Sequence, residues 1–539
     1  MRSILHHSIF KLGCLLFFLS YHHLLGQSRW MQEYFPGSDV VSEDFVESYD
    51  NGYLMTGKFG PNYVHYCWLL KTDINGQVLW QKTFGTQDSY IAFFSLDQDT
   101  LGNIFLSGGT TFNDSYSDPT VMKLNTCGEK EWCLDFSTPG HFDYAHSIVA
   151  TDDGGCAVIL RYTGVAPPQT DRICLAKINS EGSLSWKQCY NSSDTNIKDE
   201  DAYSLLLTSY KGFLISGICG YLDSNTNLYW LKPYLIKADS LGNFEWERVI
   251  HAYDSDYTGG SANYSTINPS GQFYYTSISH YYYNPESERP ALGKIDLNGN
   301  LVSIYDIIQG FSNGGMSSAQ FMNDSTLAAV CGWGNGMDDF GHYLALLDTL
   351  GNIIDTILIT QDIYSGVLHI CHDNKLVEMY NTYQNEQFDV YLRKLNFALE
   401  DDTLYTFPFT YDSLCPYQIE SDTIVQDDCE LIVGIEEEGE TGGKGEEEVR
   451  GELKIWPNPA SGIVDLRFTV YDLRGDWTLM IYDIFGREVF APYSPSPAVG
   501  EGWGGGMKLD VSNLPPGVYF ISIVQDGRRV AGGKFVVSR

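Results

Sequence analysis

The sequence predicts an all-β chain in which seven four-stranded repeats close into a ring, with a separate strand-rich domain behind them. Three observations predict it. A string of the type Leu-x-Lys-x-Asp-x-x-Gly-x-x-x-Trp returns about every 50 residues, the spacing of a repeated supersecondary unit. The chain holds 37 Tyr, 28 Phe and 11 Trp beside 53 Gly, a composition that favours pleated strands and tight turns over helices. From Leu453 onward, short alternating segments resume after a Glu/Gly run that cannot form a core.

At 539 residues the chain exceeds one ordinary hydrophobic core, so several domains are expected. With 43% hydrophobic and 19% charged residues it is globular in composition. Its formal charge of −36 repels phosphate backbones and argues against nucleic acid as a partner. Residues 1–26 have the pattern of a secretory signal peptide. Arg2 and Lys11 flank a short basic start, and the apolar run Leu12–Leu19 is too short to span a bilayer. Cleavage is expected after Gly26. No other segment reads as a transmembrane span, and export permits disulfides.

Residues 27–410 carry the repeat. Lys71, Lys123, Lys177, Lys237, Lys294, Leu346 and Lys394 occupy equivalent places, each preceded by a second recurring segment such as NGYLMTGKF or KGFLISGIC. In the first repeat the four strands are expected near Phe45–Tyr49 and at Tyr53–Lys58, Cys67–Thr72 and Val78–Phe84. Asp50-Asn51-Gly52 and Asn75-Gly76 supply the turns, because Asn and Gly tolerate the positive φ of tight hairpins. Seven such units pack as the blades of a β-propeller. The last two repeats lack the Trp of the fourth strand. An extra string of fourth-strand character, Trp30–Phe35, precedes the first repeat. Joined to the last blade, it would close the ring and remove a free edge; Thr403–Phe409 competes for the same place. Over Asp44–Phe407 the pattern resembles the seven-bladed repeats of secreted bacterial proteins.

In an up-and-down blade, the connections from second to third strand and from fourth strand to the next blade emerge on one face. Here they are the longer and more irregular ones, and variable loops on a rigid scaffold are where binding sits. Tyr229-Trp230 and His280-Tyr281-Tyr282-Tyr283 fall in such connections of neighbouring blades. Flat aromatics with polar handles stack on sugars or anchor a protein partner; they equally pack a long loop onto the next blade. Asp44, Asp88, Asp143 and Asp201 stand where first strands begin. As a ring of carboxylates they would hold a hard cation such as calcium; as caps they would accept backbone N–H bonds. No other cofactor is implied. Asp73-Ile74-Asn75-Gly76 and Asp296-Leu297-Asn298-Gly299 look like starts of calcium loops but lack the distant Glu and fall on hairpins, where a turn accounts for them. The sequence has no Gly-x-Ser-x-Gly elbow, phosphate loop or zinc-spaced Cys/His cluster.

Residues 411–452 hold Cys415 and Cys429, the expected local disulfide, and the acidic tether Ile435–Glu452, whose Glu and Gly cannot bury a core. There are 12 Cys; with Cys14 in the signal segment an odd number is left, so at least one thiol stays free or pairs elsewhere. Residues 453–539 form the last domain. Its strands are expected at Leu453–Trp456, Ile463–Tyr471, Thr478–Asp483, Glu488–Phe490, Lys508–Ser512, Val518–Gln525 and Val530–Val537, a small Ig-like β-sandwich. The strings Trp456-Pro457-Asn458-Pro459-Ala460-Ser461-Gly462, Tyr482-Asp483-Ile484-Phe485-Gly486-Arg487, Leu509–Leu514, Pro516-Gly517-Val518-Tyr519 and Lys534-Phe535-Val536-Val537 follow in order. With them this domain resembles the type A C-terminal sorting domain of the type IX secretion system. On that resemblance Pro457, Asn458, Pro459, Gly462, Gly486, Arg487, Gly517, Tyr519 and Lys534 belong to the sorting signal. It implies Bacteroidota-type export, the secretion machinery and its sortase as partners, cleavage near the tether, and attachment to surface lipopolysaccharide. The stretch Ala491–Gly506 is longer than the family's usual connection.

The sequence thus implies a secreted or outer-surface propeller whose leading reading is a non-catalytic binding module for a glycan or a protein. A glycan-active enzyme with dispersed carboxylates on the loop face and a structural envelope component stay open beside it.

Overall fold

A computed structural model describes residues 30–433 and 452–538, except 37, 60–65, 86–89, 112–116, 138–141, 167–169, 191, 224–227, 251–257, 284–285, 311, 335–339, 362, 385–386, 426–428, 457–462, 470–476, 484–487, 494–505, 513 and 526–527. The signal segment and the acidic tether lie outside the described residues. The chain divides into two compact units, Met1–Glu436 and Glu437–Arg539.

In the first unit seven antiparallel sheets follow one another, the blades of a propeller. Blade 1 holds Val40–Glu47, Tyr53–Phe59, Cys67–Thr72 and Val78–Phe84; the last two coincide with the sequence reading residue for residue. First strands of successive blades lie against one another around the axis, and fourth strands lie outermost. The core sits between blades: Leu54, Leu69 and Phe84 of blade 1 pack on Phe93, Leu106 and Met122 of blade 2. Cys67–Thr72 is buried along its whole length because a neighbour covers each face of its sheet.

The hairpins between third and fourth strands share one chemistry. The Asp73 carboxylate accepts the N–H groups of Asn75 and Gln77, both at 2.8 Å, and Gly76 takes φ 75°. Asn179, Asp239, Asp296 and Asp348 repeat the arrangement. The look-alikes of calcium loops are therefore side-chain-capped turns.

The recurring Trp and Gly serve one contact. Trp132, Trp186 and Trp246 lie over Gly182, Gly242 and Gly299 of the next blade, where an added Cβ would meet the rings at 2.7, 2.5 and 2.6 Å. Trp132 and Trp246 donate their indole N–H to the Ser180 and Leu297 carbonyls, each at 3.1 Å.

Met31–Tyr34 pairs with Gln387–Leu395 and completes blade 7. The Trp30 carbonyl accepts the Lys394 N–H at 3.2 Å. Trp30 thus stands opposite the repeat lysine, as Trp80 stands opposite Lys71 and Trp132 opposite Lys123. The Tyr34 hydroxyl donates to the Gly76 carbonyl of blade 1 at 2.9 Å. The Trp absent from the last repeat is therefore supplied from the N-terminus. Thr403–Phe409 forms no strand and runs onto blade 1, where Tyr405 N–H donates to Asn75 Oδ1 at 2.7 Å.

Beyond it, Asp422–Ile424 pairs in parallel with Val78–Phe84 and Glu430–Val433 with Lys130–Ser137, giving blades 1 and 2 a fifth strand each. Cys415 bonds Cys127 and Cys429 bonds Cys133, which corrects the expected Cys415–Cys429 bridge. The tail is laid along the blades instead of folding on itself, so each cysteine meets the blade it covers. A third disulfide, Cys174–Cys189, joins neighbouring strands of blade 3.

The second unit has a three-stranded sheet of Glu452–Trp456, Ile463–Thr469 and Gly506–Asp510. Its other sheet is Glu488–Tyr493, Trp477–Asp483, Gly517–Gln525 and Arg528–Val537, in that order. All seven expected strands are present, and Val464, Leu479, Ile481, Leu509, Ile521 and Val537 are buried. Pro457, Asn458, Pro459, Gly462, Gly486 and Arg487 lie outside the described residues. Gly517 opens a strand, Tyr519 is buried with its hydroxyl on the Pro515 carbonyl at 2.8 Å, and Lys534 pairs with Phe520 in the ladder.

Candidate functional site

The face carrying the longer connections is uneven. The second strands of blades 3, 4 and 5 run for 11 residues each, against 7 in blade 1. These are three successive blades, so their longer hairpins stand side by side as a wall on one part of the ring. Segments read from sequence as aromatic loops are the upper ends of these strands: Trp230 pairs with Tyr221, Tyr229 with Leu222, and His280 with Arg289. The sequence reading missed this because the turns are so short; only residues 284–285 separate the two strands of blade 5.

These residues do not form one cluster. Tyr229 is 55% exposed. His280 is buried, with Nδ1 2.7 Å from Asp306 Oδ1. The Tyr282 hydroxyl donates to Asp306 Oδ2 at 2.6 Å, and Arg289 Nη1 lies 3.1 Å from the same oxygen. The Arg289 guanidinium covers the Tyr282 ring at 4.2 Å, a cation–π contact. Burial opposes ionisation of Asp306, yet the bonds from His280 and Tyr282 hold its carboxyl below the ordinary range. The Tyr281 hydroxyl is bonded to Glu286, and the Tyr283 side chain lies outside the described residues. Blade 5 therefore fixes His280 and Tyr282 through one central carboxylate.

The four aspartates behave individually. Asp44 accepts the N–H groups of Phe45 and Leu96 at 2.9 and 3.1 Å and the Ser95 hydroxyl at 2.8 Å; burial pushes it up to about 7. Asp143 accepts Thr163 N–H at 2.7 Å. Asp201 accepts Ala202 N–H at 2.9 Å and faces Arg161 at 3.3 Å. Asp88 lies outside the described residues. Among the described residues these carboxylates are not part of any group close enough to share an ion.

Blade 4 contains a buried acid that sequence reasoning passed over. Burial, reinforced by Glu247, pushes Glu200 up to about 8. Glu247 accepts the hydroxyls of Tyr234 at 2.5 Å and Ser192 at 2.6 Å. The repeat lysines, the most visible feature of the sequence, serve the opposite face: Lys71 reaches Asp50 at 2.5 Å, Lys177 reaches Asp153 at 2.8 Å and Lys394 reaches Asp373 at 2.7 Å.

No curated protein matches the chain in sequence. The chain is similar in structure to several solved proteins, of which three are given. One is a protein of unknown function from Dyadobacter fermentans DSM 18053, with 12% identity, TM-score 0.40, 55% of this chain and 93% of that one covered. Another is the Dos1 propeller, with 15% identity, TM-score 0.42, and 71% and 81% covered. The third is an ulvanlyase of a new polysaccharide lyase family, bound to -[GlcA(1-4)Rha3S]-, with 10% identity, TM-score 0.46, and 69% and 96% covered. At these identities and TM-scores the likeness carries no argument about function. Residues 454–538 match the family described as Secretion system C-terminal sorting domain; the chain is a seven-bladed β-propeller that ends in a type IX secretion sorting domain.

Proposed function

We propose that this protein is a glycan-binding module displayed on the cell surface or released outside it, and that it binds on the face where the hairpins of blades 3–5 rise. Its route runs through the signal peptide 1–26 to the periplasm, then through the secretion machinery recognising the last domain, with cleavage near the tether and lipopolysaccharide as the attachment point. The observation that carries the binding reading is the wall itself. Polar aromatic side chains are held by bonds beneath them, as Tyr282 is by Asp306, while Tyr229 is left open. Rigid rings lose little freedom on binding and offer both a flat face and a hydroxyl. A glycan array probed with the protein starting at Gln27, with an activity screen beside it, tests the proposal. Retention of glycans with no change in chain length is expected. New chain ends would make the protein an enzyme, and no retention on any glycan would remove the reading. Fusing Leu453–Arg539 to a periplasmic reporter tests the route: the reporter should reach the surface or medium.

A further inference from the structure

In blades 1 to 6 a β-bulge sits at one level of the innermost strand, and in blade 7 two residues nearer the start of that strand. The ladder to the second strand shifts between Ser42 and Asp44, Phe93 and Ser95, Ala145 and Ile148, Ala202 and Ser204, Ala262 and Tyr264, Met316 and Ser318, and Ile363 and Ser365. A bulge takes its extra residue out of the ladder and re-aims the side chain. On the strand nearest the axis, that delivers the side chain to the channel. In blades 1, 2 and 4 a glycine in the second strand makes the room. A Cβ on Gly57, Gly108 or Gly217 would sit 2.1, 1.8 or 1.9 Å from the carbonyl oxygens of Val41, Ala92 and Asp201.

The ring is not uniform. On blades 5 and 6 the bulge residues are Asn263 and Ser317, whose polar atoms are already used. Asn263 Nδ2 donates to Ser279 Oγ at 3.0 Å and the Met316 carbonyl at 2.8 Å, and Ser317 Oγ to the Gly366 carbonyl at 3.2 Å. On blades 2, 3 and 4 they are Phe94, His146 and Tyr203. Phe94 stacks on His146 with centroids 5.9 Å apart and planes at 24°. Tyr144 stands edge-on to Phe94 at 5.6 Å. Tyr203 is 38% exposed.

Behind the rings Arg161 spans two acids, with Nη2 2.6 Å from Asp171 Oδ2 and Nη1 3.3 Å from Asp201 Oδ2. His146 Nε2 lies 3.7 Å from Asp201 Oδ1. Glu43, the bulge residue of blade 1, pairs with Lys58 at 2.7 Å, and that ammonium lies 5.9 Å from the Phe94 ring. Two cations thus face three carboxylates. Burial holds the His146 imidazole below its ordinary value, so it adds no charge at neutral pH.

We infer that Phe94, His146 and Tyr203, with Arg161 and Asp201 behind them, form a subsite for one neutral pyranose. This rests on the glycan reading above and adds the place and the sugar class. The C–H face of the ring lies on Phe94 and Tyr203, and its hydroxyls meet His146, Asp201 and the planar Arg161 fork. The site has no surplus positive charge to receive a uronate or a sulfate.

The test titrates the secreted protein with the methyl glycosides of glucose, galactose, mannose and N-acetylglucosamine, and with methyl glucuronide, followed by saturation-transfer NMR. At least one neutral glycoside should bind, and the glucuronide should bind at least about tenfold more weakly. Phe94→Ala and Tyr203→Ala should each weaken the neutral sugar about tenfold. Tyr203→Phe keeps the ring and should stay within about threefold, while Tyr210→Ala, at the exposed turn between the first two strands of blade 4, should change it less than about twofold. Equal binding of the glucuronide overturns the sugar class. Wild-type affinity in the Phe94→Ala and Tyr203→Ala proteins, with loss in Tyr229→Ala, overturns the subsite and leaves the glycan function standing. Failure of every sugar, here and on an array, overturns both.

Discussion

Blades 7, 1 and 2 and blades 4, 5 and 6 are built from the same repeat, yet their outer edges are finished differently. Blade 7 receives its outermost strand from Met31–Tyr34, and blades 1 and 2 are covered by Asp422–Ile424 and Glu430–Val433. Lys82 at the edge of blade 1 is buried, bonded to the Glu420 carbonyl at 2.9 Å and to Asp422 at 2.7 Å. Among the described residues nothing pairs beyond the fourth strands of blades 4, 5 and 6, Phe244–Val249, Leu301–Asp306 and Ile353–Thr360, and Phe244, Val302 and Ile354 are exposed. An open strand edge invites pairing with another chain, and blade 4 answers with Glu245, Glu247 and Arg248 along it. Both ends of the propeller therefore converge on three adjoining blades, and the raised hairpins stand mainly on the others. Closure is what distinguishes the two sides, so breaking closure should hurt far more than trimming an open edge.

The largest expected effect comes from deleting Arg29–Phe35. Trp30 and Tyr34 are buried in the core shared by blades 7 and 1. Loss of one large buried aromatic costs about 3–5 kcal/mol, so both together approach the whole stability of a domain. Calorimetry should show a collapsed or very low melt, whereas Phe244→Ala on the open side should barely move it. Equal melts for the two proteins would break the comparison.

Next come the disulfides. Cys127–Cys415 closes a separation of 288 residues and Cys174–Cys189 only 15. Unfolded-chain entropy assigns the longer closure the greater stabilisation, about 2–5 kcal/mol. The pair Cys127→Ser and Cys415→Ser should therefore shift the denaturant midpoint more than Cys174→Ser with Cys189→Ser. The reverse order would show that the tail is an ornament on blades 1 and 2. Smaller again is Gly217→Ala, whose Cβ meets the Asp201 carbonyl; overpacking costs about 1–3 kcal/mol. A wild-type melting temperature for that protein would mean the bulge of blade 4 relaxes freely.

The blades were legible because their signals are local. A strand such as Cys67–Thr72 and its Asp-x-Asn-Gly turn are fixed by residues a few places apart. The closure was half legible: Trp30 carries fourth-strand character, but only the ladder shows that it stands opposite Lys394. The pairing of Cys415 with Cys127 was not legible, since nothing local distinguishes a tail folded on itself from one laid along a sheet. The channel residues left one overlooked trace. Gly57, Gly108 and Gly217 stand third from the end of the recurring segments of blades 1, 2 and 4, and a strand glycine often marks a bulge or a close backbone approach. Taken that way, they point to Phe94 and Tyr203 before any coordinates. His280 and Tyr282 stood out as aromatics in a loop, whereas their chemistry comes from Asp306, 26 and 24 residues away.

The smallest expected effect is electrostatic, and on the open side it comes from Glu200 of blade 4. Burial and Glu247 push its carboxyl up to about 8, against an unfolded value near 4.3. Between those limits the native chain keeps a proton that the unfolded chain releases. By linkage, the contribution of Glu200 is fully present below the unfolded pKa and is lost as pH rises through about 8. Asp44 and Asp135, both at about 7, and Asp97, at about 6, slope the same way. Asp153, held at about 2 by the Lys177 bond against the opposing effect of burial, has its stability present at neutral pH and lost only in acid. Glu200→Gln replaces the protonated acid with an amide of the same shape that never ionises. The difference in unfolding free energy between this protein and the wild type, from denaturant titrations, should therefore be small at pH 5 and grow in favour of the amide by pH 8.5, by an amount on the order of 1–3 kcal/mol. A constant difference across that range would mean that Glu200 is ionised in the folded blade, and that water reaches the open side far more deeply than its packing indicates.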